Sequence, residues 1–217
     1  MSKLVDLSHT IEDGIVTYKG LPAPIICDYL SREASEKHYE DASFHIGKIE
    51  MVANTGTYID APFHRYAAGK DIAELSLSSV SSLPGVKVTV PDNVKAVGRE
   101  FFESLELAGK AVLVETGWSR HWKSDSYYEN NPYLTEDAAV LLKERGVALV
   151  GIDSLNIDDT STGKRPVHSI LLGAEILIVE HLCNLKSIPK GEFKFYAVPV
   201  KVKGFGTFPV RAFAEID

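Results

Sequence analysis

The sequence has little cysteine, methionine or tryptophan, two of each in 217 residues, and no long unbroken apolar run. Cys27 and Cys183 stand alone, in neither a C-x-x-C pair nor a dense pattern. That excludes a disulfide scaffold, suits a reducing compartment, and makes both cysteines read as packing residues. The opening MSKLVDLSHT lacks the apolar stretch of a secretory leader, and the longest apolar region, SILLGAEILIVEHL, is broken by Glu175 and Glu180. No membrane partner is expected, and the cytoplasm is the expected location. An excess of positive charge is missing too, because 30 acidic against 23 basic side chains leave a net charge of -7. Nucleic acid, whose binding needs clustered Lys and Arg, is therefore not an expected partner. Repeats, low-complexity tracts and Pro/Gly/Ser-rich linkers are absent, so residues 1–217 are expected to fold as one domain. There is no G-x-S-x-G elbow, and neither cysteine has a motif partner, which argues against a covalent nucleophile.

What is present is enough hydrophobic residue, 45%, to bury a sizeable core. Ala111–Glu115 and Val147–Asp153 read as strands on either side of a helix, Glu136–Arg145. Thr135 is placed to cap that helix, Glu136 and Asp137 complement its dipole, and Gly146 can close it in a left-handed turn. A short helix near Val167 and a strand at Ile176–Glu180 extend the pattern to βαβαβ, hence a parallel segment. Phe44–Val52 reads as a strand and Ser76–Ser82 as a connection. Lys194–Val202 and Val210–Ile216 are late strands with no helix between them. The expectation is an α/β fold with a mixed, barrel-like sheet and flanking helices. Glu115, Asp153 and Glu180 each end a predicted strand, the position where open parallel sheets bind ligands. They are a candidate acid cluster, although any one of them alone would pass for a surface cap.

The segment from Asn54 to His64 packs a glycine, a proline, an acid and a histidine into a short turn-prone stretch. Asp60 and His64 are suitable ligands for zinc or manganese, and either can transfer a proton. An ordinary turn uses the same residue types, and on spacing alone that is the favoured reading.

This segment resembles the signature H-x-G-T-H-x-D-x-P-x-H of the cyclase family, which includes arylformamidase (kynurenine formamidase) and isatin hydrolase. Gly56, Thr57, Asp60, Pro62 and His64 match it. The resemblance continues in Leu113-Val114-Glu115-Thr116-Gly117-Trp118, in Gly151-Ile152-Asp153-Ser154, in His168 and Glu180, and in Gly206-Thr207-Phe208-Pro209-Val210-Arg211. It implies a swivelling β/β/α fold, with Asp60, His168 and Glu180 as metal ligands and with His64 and Glu180 serving catalysis, His64 as acid or base. The first two signature histidines are Asn54 and Tyr58 here. Asn54 can still offer its amide oxygen, but Tyr58 is a poor ligand against an unperturbed pKa of about 10. One divalent ion per subunit is therefore implied rather than two, zinc or manganese, with iron also suited to the donors. The implied reaction is hydrolysis of a small acyl substrate, an N-formyl aryl amide, by metal-activated water, in a homo-oligomer. A cyclic amide or lactone hydrolase is the alternative, and a catalytically silent binding protein is the reading from another class. His9, His38, His45, His121 and His181 have no partner at ligand spacing and are expected outside the metal set, with His121 a pocket wall. Phe63, Tyr66, Trp118 and Trp122 are candidates for an aromatic lining.

Overall fold

A computed structural model describes residues 2–216. Its strands are β1 (Lys3–Asp6), β2 (Ile25–Leu30), β3 (Ile46–Glu50), β4 (Tyr58–Asp60), β5 (Leu83–Thr89), β6 (Ala96–Val97) and β7 (Ala111–Glu115). They continue with β8 (Tyr133–Leu134), β9 (Leu149–Ile152), β10 (Leu177–Glu180), β11 (Phe193–Tyr196), β12 (Thr207–Pro209) and β13 (Phe213–Ile216). The α-helices are α1 (Arg32–Glu36), α2 (Glu136–Glu144) and α3 (Pro166–Gly173). Nine strands form one mixed sheet in the order β1-β13-β11-β5-β7-β9-β10-β4-β12, curled into a half-barrel. The four central strands are parallel, and every other pairing in the sheet is antiparallel.

The period of two along each strand sorts side chains between two cores. Ala111 and Leu113 of β7 face one cluster with Leu7, Ile59, Leu149, Val179 and Phe195. Val112 and Val114 face the other, where Val150, Ile152 and Ile178 pack under Leu141 and Leu142 of α2 and Leu171 of α3. A parallel strand covered on both faces must be apolar throughout, which is why Ala111–Glu115 was legible as a strand. Helix α2 ends as its sequence predicts, with Gly146 at φ +65°. Its start differs. The Thr135 hydroxyl lies 3.2 Å from Val97 O and against the Asp137 carboxylate, to one of which it donates, and the amide of Ala138 donates to Asp137 Oδ1 (3.0 Å). Thr135 occupies the capping position without supplying a cap bond.

Three further expectations are corrected. The strand predicted to reach Val202 stops at Tyr196, and between there and β12 the chain makes the isolated Pro199–Val210 bridge. Pro199 has no N–H to continue a ladder. The late strand predicted from Val210 starts at Phe213. Cys27, read as packing, lies exposed on the ribbon formed by β2 and β3. That ribbon packs on neither core, so nothing imposes on Phe44–Val52 the alternation of a half-buried strand. Among the described residues, no helix is long and apolar enough to cross a membrane.

Candidate metal centre

The candidate centre is built where β4 is inserted between β10 and β12. In the antiparallel registers Tyr58 lies opposite Glu180 and Pro209, and Asp60 opposite Ile178 and Thr207. Residues paired across strands, or two apart along one, share a face. Glu180, Tyr58, Asp60 and Thr207 therefore project together toward the helix-bearing side, while Ile59 between them points into the opposite core. Two glycines allow the approach. Gly56 enters β4 at φ +70°, and a Cβ on Gly206 would stand 2.4 Å from the backbone of His64.

His168 arrives from the first turn of α3, which begins with Pro166. Asp158 sets the orientation of both. Its carboxylate accepts the amides of Val167 (2.8 Å) and His168 (3.0 Å), and its Oδ2 accepts His168 Nδ1–H at 2.6 Å. A carboxylate only accepts, so Nδ1 carries a proton toward Asp158 and Nε2 is the ring nitrogen turned to the other side. Nε2 faces Asp60 Oδ2 and Glu180 Oε1, each at 3.7 Å. Glu180 is held in turn by the Ile157 amide on Oε1 (2.6 Å) and by the Tyr58 hydroxyl on Oε2 (2.5 Å), with Asn156 Nδ2 at 3.4 Å. Asp60 Oδ1 accepts the Thr207 hydroxyl at 2.5 Å, and Thr207 Oγ1 lies 2.8 Å from His64 Nδ1. Asp60, His64 and His168 each offer a donor atom within 4.8 Å of the others.

The electrostatics mark a place for a cation. Asp60, Asp158 and Glu180 are all buried, with one imidazole among them. Buried charge is costly unless paired. Burial alone would pull the His168 pKa down, but the hydrogen bond to Asp158 and the nearby carboxylates of Asp60 and Glu180 push it up to about 10. Burial raises Glu180 to about 7 against the opposing charge of His168. Asp60 Oδ2 is buried without any hydrogen-bond partner. An orphaned carboxylate oxygen, an imidazole Nε2 and a second carboxylate oxygen fit a divalent ion. Ligands at about 2.0–2.1 Å in a tetrahedron stand about 3.3–3.5 Å apart, close to the 3.7 Å separations here.

Asn54 lines the same cleft, with its side chain toward the Tyr58 hydroxyl. Burial and the charges of Glu180 and Asp60 hold the Tyr58 phenol well above its usual pKa. It is a hydrogen-bond donor here. The expected acid cluster does not form. Asp153 is consumed by the Thr116 amide and hydroxyl and the Gly117 amide, and Glu115 pairs with Lys87 at 3.0 Å. Glu180 alone of the three reaches the donor set. The expected aromatic lining is also misplaced. Trp122 stacks on His9, Trp118 donates to Tyr127 O, Tyr66 bonds Ser169 O, and Phe63 borders a separate surface hollow. Tyr18 and Tyr58 line the cleft instead. His121 packs beside Trp118 outside the cleft, and His45 pairs with Asp28 on the ribbon. His181 is buried behind Tyr58 with Nδ1 3.2 Å from the Tyr127 hydroxyl, and burial lowers its pKa to about 3. Asp158 and Thr207 were not assigned roles from the sequence. An acid ahead of an Arg-Pro helix start was the one available sign of Asp158.

The Cyclase family model matches residues 5–159. Kynurenine formamidase of Bacillus cereus (strain ATCC 14579) is 30% identical over 212 residues, covering 97% of this chain and 96% of that protein. Kynurenine formamidase of Geobacillus thermodenitrificans (strain NG80-2) is 29% identical over 214 residues, covering 98% and 97%. The solved structure of a predicted metal-dependent hydrolase from Bacillus stearothermophilus superposes with a TM-score of 0.79 at 26% identity, covering 99% and 98%. Isatin hydrolase A from Labrenzia aggregata shares the fold, with a TM-score of 0.83 at 20% identity and coverage of 99% and 94%. The chain belongs to the cyclase family of metal-dependent hydrolases.

Proposed function

We propose that this protein hydrolyses an N-formyl aryl amide, using one divalent ion, zinc or manganese, held by Asp60, His168 and Glu180. The observation that carries this reading is the orphaned, buried Asp60 Oδ2 facing His168 Nε2, beside a second buried carboxylate. The curated relatives supply the substrate class. A bound divalent ion lowers the pKa of water from 15.7 toward about 7 and polarises an acyl oxygen.

The chain's own residues supply orientation and proton transfer. Asp60 Oδ1 can only accept, so the single hydroxyl proton of Thr207 goes to it, and Thr207 Oγ1 accepts from His64 Nδ1–H. His64 Nε2 is thereby left as the basic nitrogen on the cleft wall, with the side chain 36% exposed. It takes a proton from the attacking water and returns it to the leaving nitrogen. Tyr58, Asn156 and the Ile157 amide hold Glu180 in one orientation, and Asp158 does the same for His168. Asn54 and Tyr58, as neutral groups, leave no donor set for a second ion.

Elemental analysis of the purified protein, before and after zinc or manganese reconstitution, combined with hydrolysis of formanilides, tests the reading. One equivalent of metal and metal-dependent release of aryl amine are expected. Failure to take up metal after reconstitution would overturn it. We infer in addition that the protein works as a homo-oligomer. This rests on the β2–β3 ribbon, where Ile25 is 54% and Tyr29 77% exposed on strands without core contact. An isolated two-stranded ribbon is marginal in water. Light scattering that finds only monomer at micromolar concentration would remove this inference.

A further inference from the structure

The cleft above the candidate metal centre, about 610 Å³, has two phenols on its wall, Tyr18 and Tyr58. Their hydroxyls are used differently. Tyr58 donates to Glu180 Oε2, and Thr207 donates to Asp60 Oδ1. Asn156 Nδ2 and the Ile157 amide are also turned onto Glu180. These donors serve the carboxylates of the centre and are not free for a substrate. The partner of Tyr18 is instead the Arg165 guanidinium. A guanidinium only donates, so the phenol oxygen accepts and its O–H hydrogen is left unspent.

Both members of this pair are fixed from the backbone outward. Thr17 is buried, and its hydroxyl donates to Asn54 O (3.2 Å) and accepts the Gly56 amide (3.4 Å). The chain before Tyr18 is thereby tied to the loop that leads into β4 and Asp60. Tyr128 donates to Val16 O at 2.6 Å, and the Leu21 amide closes a turn on Tyr18 O at 3.1 Å, with Gly20 at φ +92°. Arg165 Nη1 lies 2.7 Å from both Thr162 O and Lys164 O, neutral carbonyls that hold the guanidinium without cancelling its charge. The ordering cost of the pair is thus met before any ligand arrives. Burial and the charge of Glu180 keep the Tyr18 phenol above its usual pKa despite Arg165, so at neutral pH it is a protonated donor. Asn54 and Tyr58 leave no donor set for a second ion, and two ions could have divided the charge of the reacting oxygens between them. With water activated at a single ion, charge developing on the acyl oxygen falls to the chain's own donors.

We propose that the Tyr18 hydroxyl is a catalytic hydrogen-bond donor to the acyl oxygen of the substrate, and that Arg165 is the residue that positions it. The inference rests on the hydrolase reading of the centre below. As the water oxygen bonds to the acyl carbon, the π pair of the C=O bond moves onto the acyl oxygen. The Tyr18 O–H meets that charge while His64 takes the water proton. When the C–N bond breaks, the pair returns to the carbonyl, His64 gives its proton to the nitrogen, and Tyr18 has kept its own. Arg165 polarises the phenol and strengthens the bond without taking part in the transfer.

Tyr18→Phe, which removes one oxygen atom, tests this on the metal-loaded protein. With formanilide as substrate, kcat should fall about 10²–10³-fold, the loss typical of one oxyanion donor, with KM within about threefold and with metal content and Tm unchanged. Calorimetric titration with N-phenylphosphoramidate, a tetrahedral anion on the same aryl amine, reads the donor apart from turnover. Tyr18→Phe should bind it at least about tenfold more weakly than the unmodified protein. Arg165→Met should lower kcat about tenfold in the unmodified chain and less than about twofold in Tyr18→Phe, because a residue that acts through the phenol then has nothing to act on. Equal losses in the two backgrounds would detach Arg165 from Tyr18. A kcat within about threefold of the unmodified value in Tyr18→Phe, or a loss confined to KM, would overturn the proposal. So would a larger loss of kcat in Lys19→Met, whose ammonium shares the cleft wall. If the unmodified protein hydrolyses no formanilide, the hydrolase reading falls by itself, and the titration decides the donor. Weaker binding in Tyr18→Phe upholds it, and equal binding, or none to the unmodified protein, removes it.

Discussion

Asp158→Asn probes the centre through a residue expected to touch neither metal nor substrate. The Asp158 carboxylate accepts three N–H groups, from the Val167 amide, the His168 amide and His168 Nδ1. Asparagine has nearly the same shape but one accepting oxygen and one donating nitrogen. If its oxygen keeps the Val167 amide, its NH₂ faces His168, and the imidazole must present Nδ1 as an acceptor. The ring proton then moves to Nε2, the atom aimed at Asp60 and Glu180. If the amide flips, His168 keeps its partner, but the Val167 amide meets a donor and the negative charge is gone. Loss of such an outer partner typically weakens metal binding about 10- to 100-fold, or about 1.4–2.7 kcal/mol. Damage at the start of α3 adds about 0.5–2 kcal/mol of lost stability, a few degrees in Tm for a chain of this size. Competition with a chromophoric chelator measures the dissociation constant, and thermal melting of the metal-free protein measures the second effect. A dissociation constant within twofold of the unmodified protein, in a folded variant, would refute the argument that Asp158 sets the His168 tautomer.

His64→Ala should retain its metal within tenfold in affinity while kcat falls about 10²–10⁴-fold, because a proton-transfer group contributes that much without holding the ion; loss of the metal would instead make His64 a ligand. Thr207→Val removes the hydroxyl between Asp60 and His64 and should lower kcat about tenfold and shift its pH profile, whereas an unchanged profile would detach Thr207 from His64. The unmodified protein should bind one ion per chain, and Asn54→His combined with Tyr58→His should raise the stoichiometry toward two by elemental analysis. Two full ions in the unmodified protein would contradict the donor count. Burial lifts the Cys183 thiol to about 11, so only about 10⁻³ of it is thiolate at pH 8. Alkylation followed by mass spectrometry should label exposed Cys27 first, with the Cys183 rate rising tenfold per pH unit through pH 10; rapid labelling of both would argue against this burial.

The sequence disclosed those parts of the fold whose cause is local. Ala111–Val114 had to be apolar throughout, and Glu136–Arg145 carried its own end signals in Gly146 and the first-turn acids. Asp60, His64, His168 and Glu180 were named through the resemblance to the cyclase family, and the structure brings them together. The parts that were not legible depend on partners distant in the chain. Asp153 looked equivalent to Glu180 because both end buried strands, and only the turn at Thr116 and Gly117, 36 and 37 residues away, shows that Asp153 is consumed in holding a loop. The role of Asp158 depends on the ring orientation of a histidine ten residues on. Trp118 and Trp122 were plausible cleft walls until their own partners, Tyr127 O and the His9 ring, were seen.

The insertion of β4 between β10 and β12 has a consequence for the order of events during synthesis. Asp60 and Thr207 are separated by 147 residues, and both neighbours of β4 lie C-terminal to it. At about 5–20 residues per second, a ribosome needs roughly 7–30 s to deliver Thr207 after Asp60 has been made. Throughout that interval the nascent chain carries Asp60 and His64 but neither strand that flanks them. Two donors on an unpaired segment make a weak, unselective ion trap, whereas the complete set exists only after His168 and Glu180 have emerged. For the proposed ion, loading would therefore wait until the strands that flank Asp60 have been made, and the ion would be chosen by a folded cage instead of by whichever cation first meets the ribosome exit.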